Sequence, residues 1–245
     1  MHLRDLSRAA ATYAWTGAAC ANAIGGHWMG GDKRDLDRRT VRWARVLQQM
    51  WGLELEVRGL EHYQRDATTV LVANHQSYVD VVALFLALPE MPVFLAKREL
   101  ARVPLFGRVM ETRGDVFIDR QHREAATSTI DRTARILRPG EPVLVFPEGT
   151  RARAPVISAF KKGAFHLARQ AHAAIQPIGI RGSLEAWPRD RAAPVGGHVR
   201  VTLGPRVDAD TVQRSELDTL VAEIRSEVAR LAELPLAERA QHAAA

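Results

Sequence analysis

The chain has 245 residues, of which 47% are hydrophobic and 25% are charged. This composition is typical of a folded globular protein and excludes a largely disordered one. The formal net charge of +6 at pH 7 suits anionic partners such as lipid head groups, nucleotides or acidic carrier proteins. No zinc-finger spacing, RNA-binding aromatic motif or lysine- and arginine-rich run is present, so nucleic-acid binding is not predicted. The single cysteine, Cys20, excludes an intramolecular disulfide and favours a reducing compartment.

The first uncharged stretch, residues 9–31, is long enough to cross a bilayer but consists mostly of alanine and glycine. Trp15 and Trp28 suit an interfacial position. We therefore expect this segment to lie at a membrane surface, with a packed helix as the second interpretation and a true span as the third. Residues 35–51 predict a helix in which arginines alternate with tryptophans and aliphatic residues. Such a helix fits an anionic membrane surface or a protein core with its arginines in solvent equally well.

Beyond this point short apolar segments alternate with helical patterns. The strand candidates are 54–57, 69–73, 93–96, 116–118, 143–146, 175–180 and 198–203. The helix candidates are 78–88, 123–137, 159–173 and 216–234. The alternation predicts an α/β fold with a mostly parallel or mixed central sheet flanked by helices. We assign residues 1–51 to an N-terminal helical, membrane-associating segment and residues 52–245 to a single α/β domain.

The segment Asn-His-Gln-Ser-Tyr-Val-Asp, residues 74–80, joins an apolar strand to an apolar helix. His75 therefore lies in a strand-to-helix turn at the carboxyl end of a strand, where open α/β sheets bind ligands. Asp80 is close enough to reach the imidazole, and such a carboxylate fixes the tautomer of a general base. Ser77 and Asp80 also have the spacing of a helix capping box. The two interpretations are compatible, and capping alone does not account for His75.

Two other chemistries are disfavoured at this turn. A Ser–His–Asp triad with Ser77 as the nucleophile is disfavoured because Ser77 is too close to His75 in sequence and no Gly-x-Ser-x-Gly elbow is present. A metal site needs more ligands than His75 and Asp80, and the remaining histidines are scattered. We therefore expect neither a metal nor another cofactor.

Two cations follow predicted strands in the middle of the chain. Arg120 ends the segment 114–120, where it would bind a phosphate bidentately or form a surface pair with Asp119. Lys97 lies just past another apolar strand and suits an anionic head group or plain solvation. Neither residue is diagnostic by itself.

The segment Phe-Pro-Glu-Gly-Thr-Arg, residues 146–151, also follows a predicted strand. Gly149 permits a tight turn that would bring Glu148 and Arg151 together. The carboxylate would accept a hydrogen bond from a substrate hydroxyl, and the guanidinium would clamp a phosphate. A fourth segment, residues 175–182, is by its pattern a plain core strand that ends at an Arg-Gly pair.

Taken in this order, the segments resemble the glycerophospholipid acyltransferase family. Asn74, His75 and Asp80 match the first block of the family, Asn-His-x-x-x-x-Asp. The later blocks are similar to residues 114–120, 146–151 and 177–182, so that the resemblance covers about residues 54–205. The chain departs from the family in two places, since its N-terminal segment is less hydrophobic than the usual anchor and Gln176 replaces an aliphatic residue.

The resemblance implies that His75 is a general base and that Asp80 orients it. The residues implied for substrate binding are Lys97, Arg120, Glu148, Gly149 and Arg151. The implied reaction moves a fatty acyl chain from acyl-CoA or acyl-acyl-carrier protein to the free hydroxyl of 1-acyl-sn-glycerol 3-phosphate. It would take place at the cytoplasmic face of the inner membrane, with peripheral or weak attachment. The alternatives are another lyso-lipid acceptor, such as lyso-ornithine lipid or a lysophospholipid, and a non-catalytic lipid-binding protein of the same fold.

Overall fold

The computed structural model describes residues 3–65, 67–119, 123–137 and 139–237. Within them one sheet is built from β1 Leu53–Arg58, β2 Thr69–Ala73, β3 Val93–Lys97, β4 Val116–Ile118, β5 Val143–Val145, β6 Ala174–Arg181 and β7 Gly197–Leu203. Every predicted strand is confirmed to within two residues at each end. The spatial order of the strands is β1-β7-β6-β2-β5-β3-β4.

The sheet is mixed because one of its pairings, β6 with β7, is antiparallel. The other neighbouring strands run parallel. In the central strand β2 every residue is buried, as its uninterrupted apolar sequence requires for a strand covered on both faces. The carboxyl ends of β2, β3, β4, β5 and β6 lie along one edge of the sheet. The predicted fold class is confirmed.

Helices cover both faces of the sheet. They are α1 Leu3–Trp28, α2 Lys33–Trp51, α3 Val79–Ala87, α4 Phe106–Arg113, α5 Arg123–Ile136, α6 Gly163–Gln170, α7 Ser183–Ala186, α8 Ala209–Arg214 and α9 Leu217–Ala232. Alternate residues of β2 point to opposite faces, so that Leu71 packs with α2 and α3 while Val70 packs with α6 and α9. The two apolar cores hold β2 rigidly between them.

The helix predicted over residues 159–173 begins later than expected, at Gly163. The residues before it are not helical, and main-chain groups in this stretch bond to other parts of the chain. The N–H of Ile157 donates to the carbonyl of Pro235, and the N–H of Lys161 donates to that of Pro147. Helices α4, α7 and α8 were not predicted; all three are short, with eight, four and six residues.

The N-terminal helices pack on each other and on the sheet domain. The indole N–H of Trp51 donates to Thr12 over 3.0 Å, and that of Trp15 donates to the carbonyl of Trp43 over 3.3 Å. The packed-helix interpretation therefore applies to the inner face of this pair, which includes Trp15. Trp28, by contrast, is 78% exposed. None of the described helices has the length and apolarity needed to cross a membrane.

Candidate active site

The turn between β2 and α3 is anchored to the neighbouring strand β6 by Asn74. The side chain of Asn74 is fully buried. Its amide nitrogen donates to the carbonyl of Ile180 over 2.9 Å, and its amide oxygen accepts from the N–H of the same residue over 2.7 Å. This pair of bonds fixes the first residue of the turn and therefore the direction of His75. Asn74 belongs to the first sequence motif, but the motif by itself does not indicate this anchoring role.

His75 and Asp80 form the predicted pair. The imidazole Nδ1 lies 2.8 Å from Oδ2 of Asp80. The same oxygen accepts from the N–H groups of Gln76 over 2.7 Å and of Ser77 over 2.9 Å. Because donors converge on this oxygen, Nδ1 is assigned as the protonated nitrogen and Nε2 carries the free lone pair. Half of the capping box is present as well, since Asp80 accepts from the Ser77 N–H while it holds the imidazole; the Ser77 hydroxyl accepts from the N–H of Val79 instead of that of Asp80.

The imidazole ring is held on its flat side by Phe146. The two ring centroids are 4.1 Å apart and their planes are inclined by 15°. The His75 side chain is 17% exposed, and its Nε2 has no hydrogen-bond partner among the described residues. A ring fixed by stacking and by Nδ1, with Nε2 unpaired, can accept a proton from a ligand at the surface of the site.

Glu148 holds the main chain of His75. It is only 5% exposed. Its Oε1 accepts from the N–H of His75 over 2.7 Å, and its Oε2 accepts from the N–H of Ser158 over 2.9 Å. The N–H of Ala152 donates to the carbonyl of His75 over 2.8 Å. Burial raises the pKa of Glu148, and the main-chain hydrogen bonds oppose that rise. The loop after β5 therefore forms hydrogen bonds with both the main-chain N–H and the main-chain carbonyl of His75.

The tight turn predicted at Gly149 is present, with φ at 77°. The turn places Glu148 and Arg151 on the same side of the loop, but the two side chains form no ion pair. The reason is that Glu148 is turned inward to the main chain, while the guanidinium carbon of Arg151 lies 3.8 Å from the centroid of the Tyr78 ring. Both residues still lie against the His75 turn. That Glu148 bonds a substrate hydroxyl stays a prediction.

Of the two remaining predicted cations, Lys97 lies within the described residues and Arg120 does not. Lys97 is the last residue of β3, with its side chain 55% exposed and 3.7 Å from Glu99. Since β3 runs parallel to β5, Lys97 lies on the edge of the sheet that carries Phe146. Arg120 lies outside the described residues. Its neighbour Asp119 bonds Arg98 over 3.1 Å.

Arg153 and Arg189 were not predicted as residues of the site. Tyr78 packs against Trp187, with ring centroids 5.5 Å apart, and the hydroxyl of Ser77 donates to the Trp187 carbonyl over 3.2 Å. These contacts hold the loop after α7 against the His75 turn. Burial and the nearby positive charges of Arg151 and Arg153 lower the pKa of Arg189, which follows Trp187 in this loop. Arg153 and Arg189 stand outside every motif, so no sequence signal marks them.

Comparison with known proteins supports the family. A family model described as Acyltransferase matches residues 54–181, just over half of the chain. The 1-acyl-sn-glycerol-3-phosphate acyltransferase alpha of Bos taurus is 32% identical over 180 residues, which cover 73% of this chain and 63% of that protein. The 1-acyl-sn-glycerol-3-phosphate acyltransferase of Haemophilus influenzae is 32% identical over 139 residues, which cover 56% of this chain and 58% of that protein. The chain thus spans less than two thirds of the length of these relatives.

The fold is shared with a solved structure. The crystal structure of the 1-acyl-sn-glycerophosphate (LPA) acyltransferase from Thermotoga maritima superposes with a TM-score of 0.79 at 22% identity, covering 94% of this chain and 95% of that one. At this identity the likeness concerns the fold. The family match itself contains His75, Asp80 and the whole of residues 146–151. The resemblance drawn from the motifs is confirmed: the chain belongs to the acyltransferase family.

Proposed function

We propose that the protein is an O-acyltransferase. It transfers a fatty acyl chain from acyl-CoA or acyl-acyl-carrier protein to the free hydroxyl of 1-acyl-sn-glycerol 3-phosphate, and so contributes to phospholipid biosynthesis. The observation that carries the proposal is the His75–Asp80 pair, with Nε2 unpaired at the carboxyl edge of the sheet. The names of its relatives agree with this acceptor.

The reaction follows from the geometry of the imidazole. Nε2 of His75 removes the proton from the acceptor hydroxyl while its oxygen attacks the thioester carbonyl carbon. Asp80, bonded to Nδ1, stabilises the imidazolium that forms. The tetrahedral intermediate then collapses, the C–S bond breaks, and the departing thiolate takes the proton back from Nε2. A base placed in this way contributes about 10²–10⁴-fold to the rate, and no acyl-enzyme is needed.

Cations around the Tyr78 ring suit the phosphate of the acceptor. Arg151 is held over Tyr78, and neither Arg151 nor Arg189 forms an ion pair with any described carboxylate. A guanidinium without a carboxylate partner is available to bind phosphate bidentately. Lys97 and Arg120 would extend the anion site along the same edge. Main-chain N–H groups near Gly149 and at the start of α3 are the candidates for oxyanion donors.

The N-terminal helices would bring this edge to lipid. Trp28 and the adjoining Met29, which is 89% exposed, leave a large apolar surface at the end of α1. Arg38 and Arg42 on α2 line a cleft of about 430 Å³ between the two helices. Aromatic and basic side chains on one helix pair suit the interface of an anionic membrane. We place the enzyme peripherally at the cytoplasmic face of the inner membrane.

Thiol release from acyl-CoA, measured with wild-type protein and a panel of lyso-lipids, tests the function. We expect release with 1-acyl-sn-glycerol 3-phosphate and a parallel gain of diacyl product. Release that is faster with lyso-ornithine lipid or with a lysophospholipid would reassign the acceptor and keep the chemistry. A folded protein that binds the lipids but releases no thiol from acyl-CoA or acyl-acyl-carrier protein would contradict the proposal in favour of a lipid-binding protein.

A further inference from the structure

Arg225, on α9, reaches out of its helix to the main chain of the extended segment 157–158. Its Nε donates to the carbonyl of Ser158 over 2.9 Å, and its NH2 donates to the carbonyl of Ile157 over 2.8 Å. The same nitrogen donates to the carbonyl of Ala237 over 3.1 Å. The guanidinium therefore donates to three main-chain carbonyl oxygens, and it forms no ion pair with any of the described carboxylates. No motif of the sequence includes it.

The segment that Arg225 holds is fixed on its other side as well. The N–H of Ile157 donates to the carbonyl of Pro235, and the N–H of Ala237 donates to the carbonyl of Ile157, each over 2.9 Å. Ile157 is fully buried. Residues 157–158 are thus held between the chain that follows α9 and the guanidinium of Arg225. This arrangement sets the direction of the next N–H group, that of Ser158.

The N–H of Ser158 leads to the candidate active site. It donates to Oε2 of Glu148 over 2.9 Å, and Oε1 of Glu148 accepts from the N–H of His75 over 2.7 Å. Arg225 and His75 are thus connected by hydrogen bonds. Arg225 bonds the segment 157–158, the Ser158 N–H donates to Glu148, and Glu148 accepts from the His75 N–H. Glu148 is buried and forms no ion pair with a described cation. Arg225 is close enough for the charge of Glu148 to act on its guanidinium.

We propose that Arg225 is a positioning residue for His75. By fixing the Ile157 and Ser158 carbonyls, it directs the Ser158 N–H to Glu148, and Glu148 then has one defined orientation in which it holds the His75 N–H. A role in docking α9 alone would not require the guanidinium to contact the residue that bonds Glu148. The effect on turnover rests on the proposed function, whereas the effect on the His75 main chain does not.

The first arm of the test measures the main chain directly. Hydrogen exchange of the His75 and Ser158 amides would be followed by NMR in wild type, Arg225→Met and Arg225→Lys. We expect both amides to exchange at least about tenfold faster in Arg225→Met, because charge-assisted hydrogen bonds that fix the segment are lost. Arg225→Lys, which keeps the charge and a donor, should fall between. The control is Arg230→Gln on the same helix, whose guanidinium bonds Glu227 instead.

The second arm measures turnover of folded enzyme. We expect kcat to fall about tenfold in Arg225→Met with the KM for both substrates unchanged, and kcat to recover in part in Arg225→Lys. Melting temperatures of all variants show whether each protein is folded at the assay temperature. Lower turnover caused by unfolding is thereby distinguished from lower turnover caused by a displaced His75. Unchanged His75 exchange, or an unchanged kcat per folded molecule, in Arg225→Met would overturn the inference. If wild type has no transferase activity but His75 exchange responds as expected, the proposed function fails and the positioning of His75 by Arg225 stands.

Discussion

The carboxyl edge of the sheet and the N-terminal helix pair α1–α2 are built in opposite ways. At the sheet edge the buried side chains of Asn74, Asp80 and Glu148 form hydrogen bonds to main-chain groups around His75. On the helix pair Trp28 and Met29 are 78% and 89% exposed, and the Arg38 side chain also faces solvent. The first arrangement holds one geometry, as a chemical step needs. The second offers a surface, as contact with a fluid lipid interface needs.

The largest effect among the supporting residues is expected at Asp80. In Asp80→Asn the side chain keeps its size, but the negative charge is lost and the amide oxygen that replaces Oδ2 is a weaker acceptor for the His75, Gln76 and Ser77 N–H groups. The imidazole loses its tautomer assignment, and kcat should fall about 10²–10⁴-fold with the KM of the acceptor little changed. Steady-state thiol release measures both constants. An Asp80→Asn enzyme with kcat near wild type would show that the buried network is only a helix cap.

A smaller loss is expected in Glu148→Gln. The amide offers one oxygen to two N–H donors, so either His75 or Ser158 loses its partner. Leaving one buried donor unpaired costs about 1–3 kcal/mol, which corresponds to a fall in kcat of about fivefold to 150-fold if the whole cost acts on the position of His75 in the transition state. The measurement is kcat per folded molecule. A rise in acceptor KM at constant kcat would instead support direct contact between Glu148 and a substrate hydroxyl.

Glu148 also predicts a pH dependence of stability. Burial raises its pKa in the folded state, so the native protein holds this proton more tightly than the unfolded chain does. Stability from this group is therefore fully present below the unfolded pKa and declines as pH rises towards the folded one. The free energy of unfolding of wild type minus that of Glu148→Gln should fall over this window. Chemical denaturation at several pH values measures it, and a difference that rises with pH would contradict the direction of the shift.

Arg151→Gln tests the phosphate site beside Tyr78. We expect acceptor KM to rise about tenfold for 1-acyl-sn-glycerol 3-phosphate, since one charge-assisted contact is lost. The effect should be smaller for a lysophospholipid whose phosphate is already esterified to a head group. Lys162→Gln, at the exposed residue just before α6 that pairs with Asp218, is the control for a general loss of positive charge. An equal rise in KM for both acceptors would contradict a specific phosphate contact.

The smallest effect on chemistry is expected on the helix pair. In Trp28→Ala flotation with anionic vesicles should weaken, because an exposed aromatic side chain leaves the interface. Turnover with detergent-dispersed substrate should stay within about twofold, and stability within about 0.5 kcal/mol, as is usual at exposed positions. Vesicle flotation and melting temperature measure the two. A fall in turnover as large as that of Glu148→Gln would remove the contrast between the regions.

Local pattern was sufficient for the strands and for the His75–Asp80 pair. Val70 and Leu71 belong to an uninterrupted apolar run, and His75 and Asp80 are separated by one turn, so both features depend on neighbouring residues in the chain. The partners of Glu148 and Arg225 were not predictable, because each bonds a main-chain group of an element far away in sequence. The same cause explains the late start of α6, where Ile157 and Lys161 give their N–H groups to distant carbonyls. On the helix pair, the alternation of arginine and tryptophan predicted a lipid-facing surface and a packed core face equally well. Each of these surfaces requires apolar residues on one side of a helix.

Single-turnover acyl transfer by His75→Ala, with excess enzyme over acyl-CoA and saturating 1-acyl-sn-glycerol 3-phosphate, tests the central claim most directly. His166→Ala, at an exposed histidine of α6 far in sequence from the turn, is the matched control. We expect the rate for His75→Ala to be lower by about 10²–10⁴-fold, with a melting temperature close to wild type, and the rate for His166→Ala to be unchanged. A folded His75→Ala protein that transfers the acyl chain at the wild-type rate would contradict the assignment of His75 as the general base.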